Sequence, residues 1–289
     1  MNNASKGMAY GLLGVCAFAL TLPVTRFVVA YFDPLFVGFG RAVVAAFFAA
    51  CLLVFLKQPL PTKSQLKKLA VVALGVVVGF PVFSSWAMGS LPASHGGVVL
   101  GLLPLVTVVM AVIVSNERPS GGFWVAAIAG SLLVVTYSLL QGVGTFAEGD
   151  VVLLTAMILA GLGYAVGGAL AKELGGWQVI CWALVVALPF IVVPAAWYFP
   201  KDEADILVWL AFLYLAMISQ LIAFFLWNTG LALGGVARVS QTQLMQPFIT
   251  IVAAFFLLGE KIEAVTIAFA IAVAVVVLMG RRAKIHDRN

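Results

Sequence analysis

Long uninterrupted apolar runs decide what this chain can fold into. Runs of roughly 18 to 24 residues, each long enough to cross a hydrocarbon core about 30 Å thick as a helix, cover residues 7–25, 34–56, 69–88, 94–115, 122–140, 150–171, 177–197, 207–230, 239–258 and 264–280. Hydrophobic residues make up 64% of the 289 residues and charged ones 9%, whereas soluble domains are nearer half apolar and a quarter charged. No soluble core buries that much apolar surface, but lipid does. In lipid every backbone polar group must be bonded within the span or to a neighbour, and these runs are too long and continuous for alternating barrel strands. The expected fold class is an all-α integral membrane protein with ten transmembrane helices. The first run follows Lys6 without a small-residue cleavage pattern, so it reads as a retained span.

The charges between the runs sort by side. With the N-terminus in the cytoplasm, the inner segments hold Lys6, Lys57, Lys63, Lys67, Lys68, Arg118, Lys172, Arg238, Arg281, Arg282, Lys284 and Arg288. The outer segments hold Arg26, Lys201 and Lys261, together with Asp33, Glu148, Asp150, Asp202, Glu203, Asp205, Glu260 and Glu263. The positive-inside rule then places both termini in the cytoplasm; the membrane expected is a bacterial inner membrane. The net charge of +5 is accounted for by these loops and implies no nucleic-acid partner. Cys16, Cys51 and Cys181 all lie within apolar runs, a pattern of neither disulfides nor a metal site; no metal or other cofactor is expected.

The chain also repeats. Shifted by 143 residues, LPLVTVVMAVIVSNER (103–118) lies over QPFITIVAAFFLLGEK (246–261). Pro104 meets Pro247, Thr107 meets Thr250, Val109 meets Val252, Ala111 meets Ala254, Glu117 meets Glu260 and Arg118 meets Lys261. The shift spans five runs, an odd number, so the second copy enters the membrane from the opposite side. Two inverted five-helix halves, 1–142 and 143–289, are a mark of secondary transporters, with substrate at the interface between halves.

The segments GLALGGVARVSQTQLMQPFITIVAAFFLLGEKIE (230–262) and WAMGSLPASHGGVVLGLLPLVTVVMAVIVSNERPS (86–120) resemble the drug/metabolite transporter superfamily in its EamA branch. A proline-marked helix ending in Gly-Glu-Lys carries the resemblance, which covers the whole chain as two repeats. The first copy departs from the pattern, with Asn116 where the second has Gly259. Within the family the chain looks most like YddG-type exporters of aromatic and other neutral amino acids. The resemblance implies a helical basket with a cavity walled by the first, third, fourth, sixth, eighth and ninth spans. It also implies outward transport; the small four-helix relatives are dimers, but a chain with both repeats fused is expected to be a monomer.

Asp150, counted with the outer segment, is the first residue of the sixth run, and no Asp or Glu falls deeper inside any run. A proton-coupled pump for cationic drugs needs an intramembrane carboxylate, so that class is disfavoured. His95, the one titratable candidate for pH sensitivity, falls near the outer end of the third and fourth runs and reads more readily as a loop or interface residue. Arg41 is the single basic residue inside a run, at a cost of about 3 kcal/mol on insertion scales. Snorkelling or capping of carbonyls would relieve it, and direct contact with a substrate carboxylate is the alternative. One arginine is too little for a phosphorylated substrate, which would want several basic groups.

The remaining candidates are neutral. Gln243, Gln246 and Thr107 are candidate substrate contacts, against a structural role in interhelical hydrogen bonds worth about 0.6 kcal/mol each. Pro104 and Pro247 are candidate kinks, because proline leaves an upstream carbonyl free. Phe83, Trp86, Tyr164, Phe224 and Trp227 fall in runs that the resemblance places around the cavity, where they would form an aromatic wall, although core or lipid contact explains each singly. Gly161 and Gly168 are candidate hinges or simply close-packing positions.

Together these features predict a carrier, not an enzyme, that exports small neutral or zwitterionic metabolites, above all aromatic or hydrophobic amino acids. Alternating access without an ion, as a facilitator, is the simplest mechanism; a proton-coupled exporter of drugs or other metabolites is the alternative. A membrane enzyme would need facing acids, histidines or metal ligands. A channel would need a continuous polar path. The sequence offers neither.

Overall fold

The computed structural model describes residues 3–115, 118–119, 121–141, 148–282 and 285–286. Helices account for nearly all of it: α1 Asn3–Val28, α2 Pro34–Phe55, α3 Lys63–Ser90, α4 Ala93–Leu100, α5 Leu103–Ser115, α6 Gly121–Gln141, α7 Glu148–Leu174, α8 Gly176–Trp197, α9 Ile206–Gly234, α10 Ser240–Leu258 and α11 Ala264–Arg282. One helical turn, Val236–Val239, leads into α10, and a two-residue antiparallel ladder joins Arg118–Pro119 to Ile285–His286. Glu117, the 142/143 boundary between halves, and Lys284 and Arg288 lie outside the described residues.

Local chemistry sets the helix ends. Asp33 and Asp205 accept from the amides of Leu35 and Leu207, each at 2.7 Å. Thr62 and Gln65 close a reciprocal capping box at the start of α3, satisfying two of the amides that a helix start leaves without partners. Gly259 ends α10 in the left-handed region at φ 65°, where a glycine avoids the steric cost of a Cβ.

Among the described residues, seven helices are long and apolar enough to cross a membrane, and an eighth if the bent pair α4–α5 counts as one span. The fourth apolar run is therefore not a straight helix: it breaks at Gly101–Leu102 with a 41° bend. Helices α6 and α11 carry the fifth and tenth runs. Large apolar side chains such as Phe47, Val54, Phe55, Phe190, Trp197 and Phe256 cover the outside, far more than a soluble monomer exposes.

The boundaries recur at the offset seen in the sequence. Helices starting at Lys63, Leu103 and Gly121 have counterparts starting at Ile206, Gln246 and Ala264, each 143 residues later. Helix Leu103–Ser115 and helix Gln246–Leu258 both have 13 residues and carry their proline second. A π-helical stretch within α3, Ala73–Gly79, falls by the same offset inside the π-helical stretch Tyr214–Ile222 of α9.

Two glycine seams hold the centre. Helices α1 and α9 cross so closely that a Cβ on Gly7 would lie 2.5 Å from the Gly234 nitrogen, and one on Gly230 2.8 Å from the Gly11 nitrogen. Helices α3 and α7 do the same: a Cβ on Gly75 would lie 2.5 Å from the Leu159 oxygen and 2.9 Å from the Cα of Gly163. Such backbone approach leaves room for hydrogen only. The 143-residue offset carries α1 onto α7 and α3 onto α9, so the two seams occupy matching places.

Candidate functional site

The two π-helical stretches meet at the middle of the bundle. An i→i+5 turn frees a carbonyl from the helix ladder, and inside lipid that group must find another donor. The carbonyl of Val76, in the first stretch, accepts from Gln220 Nε2 of the second at 2.9 Å, fully buried. Beside it Thr21 Oγ1 and Ser219 Oγ share a hydrogen bond of 2.8 Å, and Thr250 Oγ1 donates to the Ala19 carbonyl at 2.7 Å. These bonds join α1 and α3 to α9 and α10.

They border a small central cavity. Its wall takes Phe18 and Thr21 from α1, Arg41 from α2, Val76 and Phe80 from α3, Tyr164 from α7, Ser219, Gln220 and Phe224 from α9, and Gln246 from α10. About 10 Å³ is open to the centre of a water molecule, room for roughly one water. The cavity is closed around no more than that. Phe18, Tyr164, Phe224 and Trp227 form one aromatic cluster, with Phe18 edge-on to Phe224 at 4.9 Å and Tyr164 5.3 Å from Trp227.

Arg41 lies in this wall at 1% exposure. It neither snorkels to the surface nor caps carbonyls with its Nε and Nη1, which have no hydrogen-bond partner among the described residues. Of the other sequence candidates, Gln246, Tyr164 and Phe224 line the cavity. Trp227 is buried against the aromatic cluster with its Nε1 unpartnered among the described residues. Gln243 is buried nearby in sequence with neither amide atom partnered among the described residues. Thr107 donates to the Leu103 carbonyl within its own helix at 2.8 Å, a local bond that leaves no free donor. Phe83 is half-buried against the main core. Trp86, one turn further along α3, is 49% exposed and does not line the cavity wall.

Pro104 and Pro247 sit in the first turn of α5 and of the α-helical stretch of α10. There a missing N–H costs nothing; Pro104 follows the break at Gly101–Leu102, and Pro247 follows the 3-10 helical stretch Ser240–Met245. Pro247 packs on the break in the first copy: a Cβ on Gly101 would meet its Cγ at 3.4 Å. Gly161 packs against Val106 and Thr107, and Gly168 against Val236 and Leu231.

A second, larger cavity of about 390 Å³ opens at the end of the bundle that carries most of the acids. Glu260 caps α4 there, accepting from the amides of Ala93 and Ser94 at 2.8 and 2.9 Å and from Ser94 Oγ at 2.6 Å. His95 is not a loop residue: it is buried in α4, 5.0 Å from the ring of Tyr137, with Nε2 2.7 Å from Asp150 Oδ1. Asp150 in turn is not outside its helix. α7 starts at Glu148, and Asp150 is buried in its first turn at 1% exposure, where a helix start accommodates negative charge. The absence of acids within helices therefore does not hold: Asp150, at the first position of the sixth run and counted with the outer charges, lies in the first turn of α7.

Phe18, Thr21, Val76, Phe80, Ser219 and Gln220 were not singled out from the sequence. The adjacent polar pair Ser219–Gln220 in an otherwise apolar run was a legible signal; the π-helical turns were not.

The EamA-like transporter family matches this chain at residues 5–138 and again at 147–280. The uncharacterized transporter YdeK of Bacillus subtilis (strain 168) is 42% identical over 285 residues, 98% of this chain and 99% of its own. Protein PecM of Dickeya dadantii is 27% identical over 93% of each chain. A probable terminal-alkyne amino-acid exporter of Streptantibioticus cattleyicolor is 23% identical over 77% of this chain and 75% of its own. A solved crystal structure shares the fold at a TM-score of 0.65, with 16% identity over 94% of this chain and 98% of that one.

Proposed function

Because the chain belongs to the EamA-like transporter family, we propose that it exports small neutral or zwitterionic metabolites, foremost amino acids with aromatic or hydrophobic side chains. Transport runs by alternating access between two inverted halves, 1–142 and 143–289, of five transmembrane helices each. The double family match, the helix starts repeated at one offset and the paired glycine seams support that organisation. The basic end faces the cytoplasm of a bacterial inner membrane, both termini lie there, and the carrier works as a monomer without a cofactor.

The observation that carries this reading is the central cavity: a polar cluster from both halves beside an aromatic wall, the composition that a small amphiphilic solute requires. The amino-acid exporter among the relatives supports the substrate class. A facilitator needs no ion, and among the described residues no carboxylate lines this cavity. The test is flux of labelled amino acids into liposomes containing the purified chain, with and without a pH gradient. Saturable uptake of phenylalanine and leucine, insensitive to the gradient, is expected; absence of saturable uptake for every amino acid would refute the substrate class.

One observation favours a second reading, a proton-coupled exporter. His95 and Asp150 form a buried titratable pair at the acidic end, on helices from different halves. Uptake that collapses when the gradient is removed would select it.

A further inference from the structure

We propose that Arg41 is where the carboxylate of the transported substrate docks, so that a free carboxylate is required of every substrate and an α-amine is not. This rests on the carrier reading above.

The argument starts from cost. Arg41 lies seven residues beyond Pro34 at the start of α2, about 10 Å into the helix at 1.5 Å per residue. Its guanidinium stays charged in proteins, and burying it without partners is unfavourable. A structural arginine at such depth binds carbonyls or an acid. Here Nε and Nη1 have neither among the described residues, and the cavity wall holds no Asp or Glu. Tyr164, the other ionisable wall residue, ordinarily titrates near pH 10 and is neutral at physiological pH. The charge is aimed into a cavity and left without an anion.

The missing partner is an anion that comes and goes. A carboxylate meets the planar guanidinium fork in a bidentate pair. Among the described residues Arg41 is the one cation lining the cavity, so one carboxylate is matched and a second acid, or a phosphate, is not. Phe18, Phe80 and Phe224, which line the same cavity, offer an apolar surface to the rest of the molecule. Nothing there bears a negative charge to demand an ammonium. An α-amine is therefore tolerated among Ser219, Gln220 and Gln246 but does not decide binding. The substrate class is monocarboxylates with an apolar or aromatic side chain, amino acids and their deaminated analogues alike. Because the cavity now has room for about one water, docking requires its walls to separate.

The test uses the full chain in liposomes with labelled phenylalanine and three unlabelled competitors: phenylalanine, phenylpyruvate and phenylalaninamide. Phenylalanine and phenylpyruvate are expected to compete and the amide to fail. Arg41→Gln is expected to raise the KM for phenylalanine roughly 10- to 100-fold, the loss of a charge-assisted pair, with Arg41→Lys in between. Should Arg41→Gln not fold, thermal stabilisation of the unaltered chain by the same compounds, which reads binding to the folded state, must give the same ranking. An amide that competes as well as the acid, or an unchanged KM in Arg41→Gln, overturns the anchor while leaving the amino-acid carrier standing. Phenylpyruvate bound and transported without phenylalanine supports the anchor and removes the amino-acid reading. If neither carboxylate binds, the anchor falls whatever else the chain carries.

Discussion

At the scale of single residues, the polar groups buried in this bundle fall into those that hold it together and those left open. Gln220 belongs to the first kind. Its bond to the Val76 carbonyl satisfies a group that the π-helical turn released, and an unmet buried acceptor costs about 1–3 kcal/mol. Gln220→Leu is therefore expected to lower the melting temperature by several degrees, read by thermal unfolding in detergent; an unchanged value would mean the carbonyl is satisfied otherwise. His95 belongs to the first kind too under the facilitator reading. His95→Gln preserves a donor for Asp150, whereas His95→Ala strips a buried carboxylate of that partner, a change that costs up to about 3–5 kcal/mol in buried pairs. The alanine variant should be clearly less stable than the glutamine variant, and glutamine should leave phenylalanine flux insensitive to a pH gradient. A gradient dependence present in the unaltered chain and abolished by His95→Gln would instead make the pair the coupling device. The sequence made His95 visible as a titratable residue but not its partner, because a burial argument based on hydropathy treats a charge at a helix start as outside. Trp86 and Trp227 looked alike as aromatic residues in cavity runs. Which of them is buried depends on helix rotation, which hydropathy over a whole run does not report.

At the scale of elements, close approach rather than apolar area sets the geometry, since lipid solvates apolar side chains as well as protein does. The α1–α9 seam is the clearest case: a Cβ on Gly230 would sit 2.8 Å from the Gly11 nitrogen and 2.9 Å from the Gly7 oxygen, both backbone atoms that cannot rotate away. Gly230→Ala is expected to destabilise the chain by more than about 1 kcal/mol, since overpacking typically costs that much or more, and to reduce flux in proportion. Gly121→Ala, where an added Cβ meets nothing within 4 Å among the described residues, should be neutral or slightly stabilising because alanine favours helix. Equal behaviour of the two variants in thermal unfolding would refute the seam. The long helices were legible as apolar runs because length and hydropathy report them directly. The glycines marked in the sequence, Gly161 and Gly168, do pack closely, but the α1–α9 seam went unread because glycines at 7, 11, 230 and 234 reveal their pairing only once the helices are crossed. The break at Gly101–Leu102 and the π-helical turns were hidden for a related reason: they change hydrogen-bond register while leaving apolarity intact.

At the scale of the whole molecule, the repeat was legible because its offset is written in matched prolines and threonines, while the contacts that tie one half to the other were not. Besides the central bonds and glycine seams, two of those contacts lie at opposite ends. Glu260 grips the start of α4 at the acidic end, and Lys68 pairs with Glu173 at 2.7 Å at the basic end. With both made, the central cavity has room for about one water. A carrier that alternates must open at one end while the other stays shut. Locking either end should therefore stop flux, whereas a channel or a rigid bundle would be indifferent to a lock at one end. The lock is made with cysteine pairs, Ser94→Cys with Glu260→Cys or Lys68→Cys with Glu173→Cys, joined by a reducible cross-linker after Cys16, Cys51 and Cys181 are replaced by serine. Cross-linking either pair is expected to abolish phenylalanine flux and reduction to restore it, while Arg41-dependent thermal stabilisation by the carboxylate survives with the end opposite the lock free to open. Flux that persists through a completed cross-link at either end would refute alternation between the two halves.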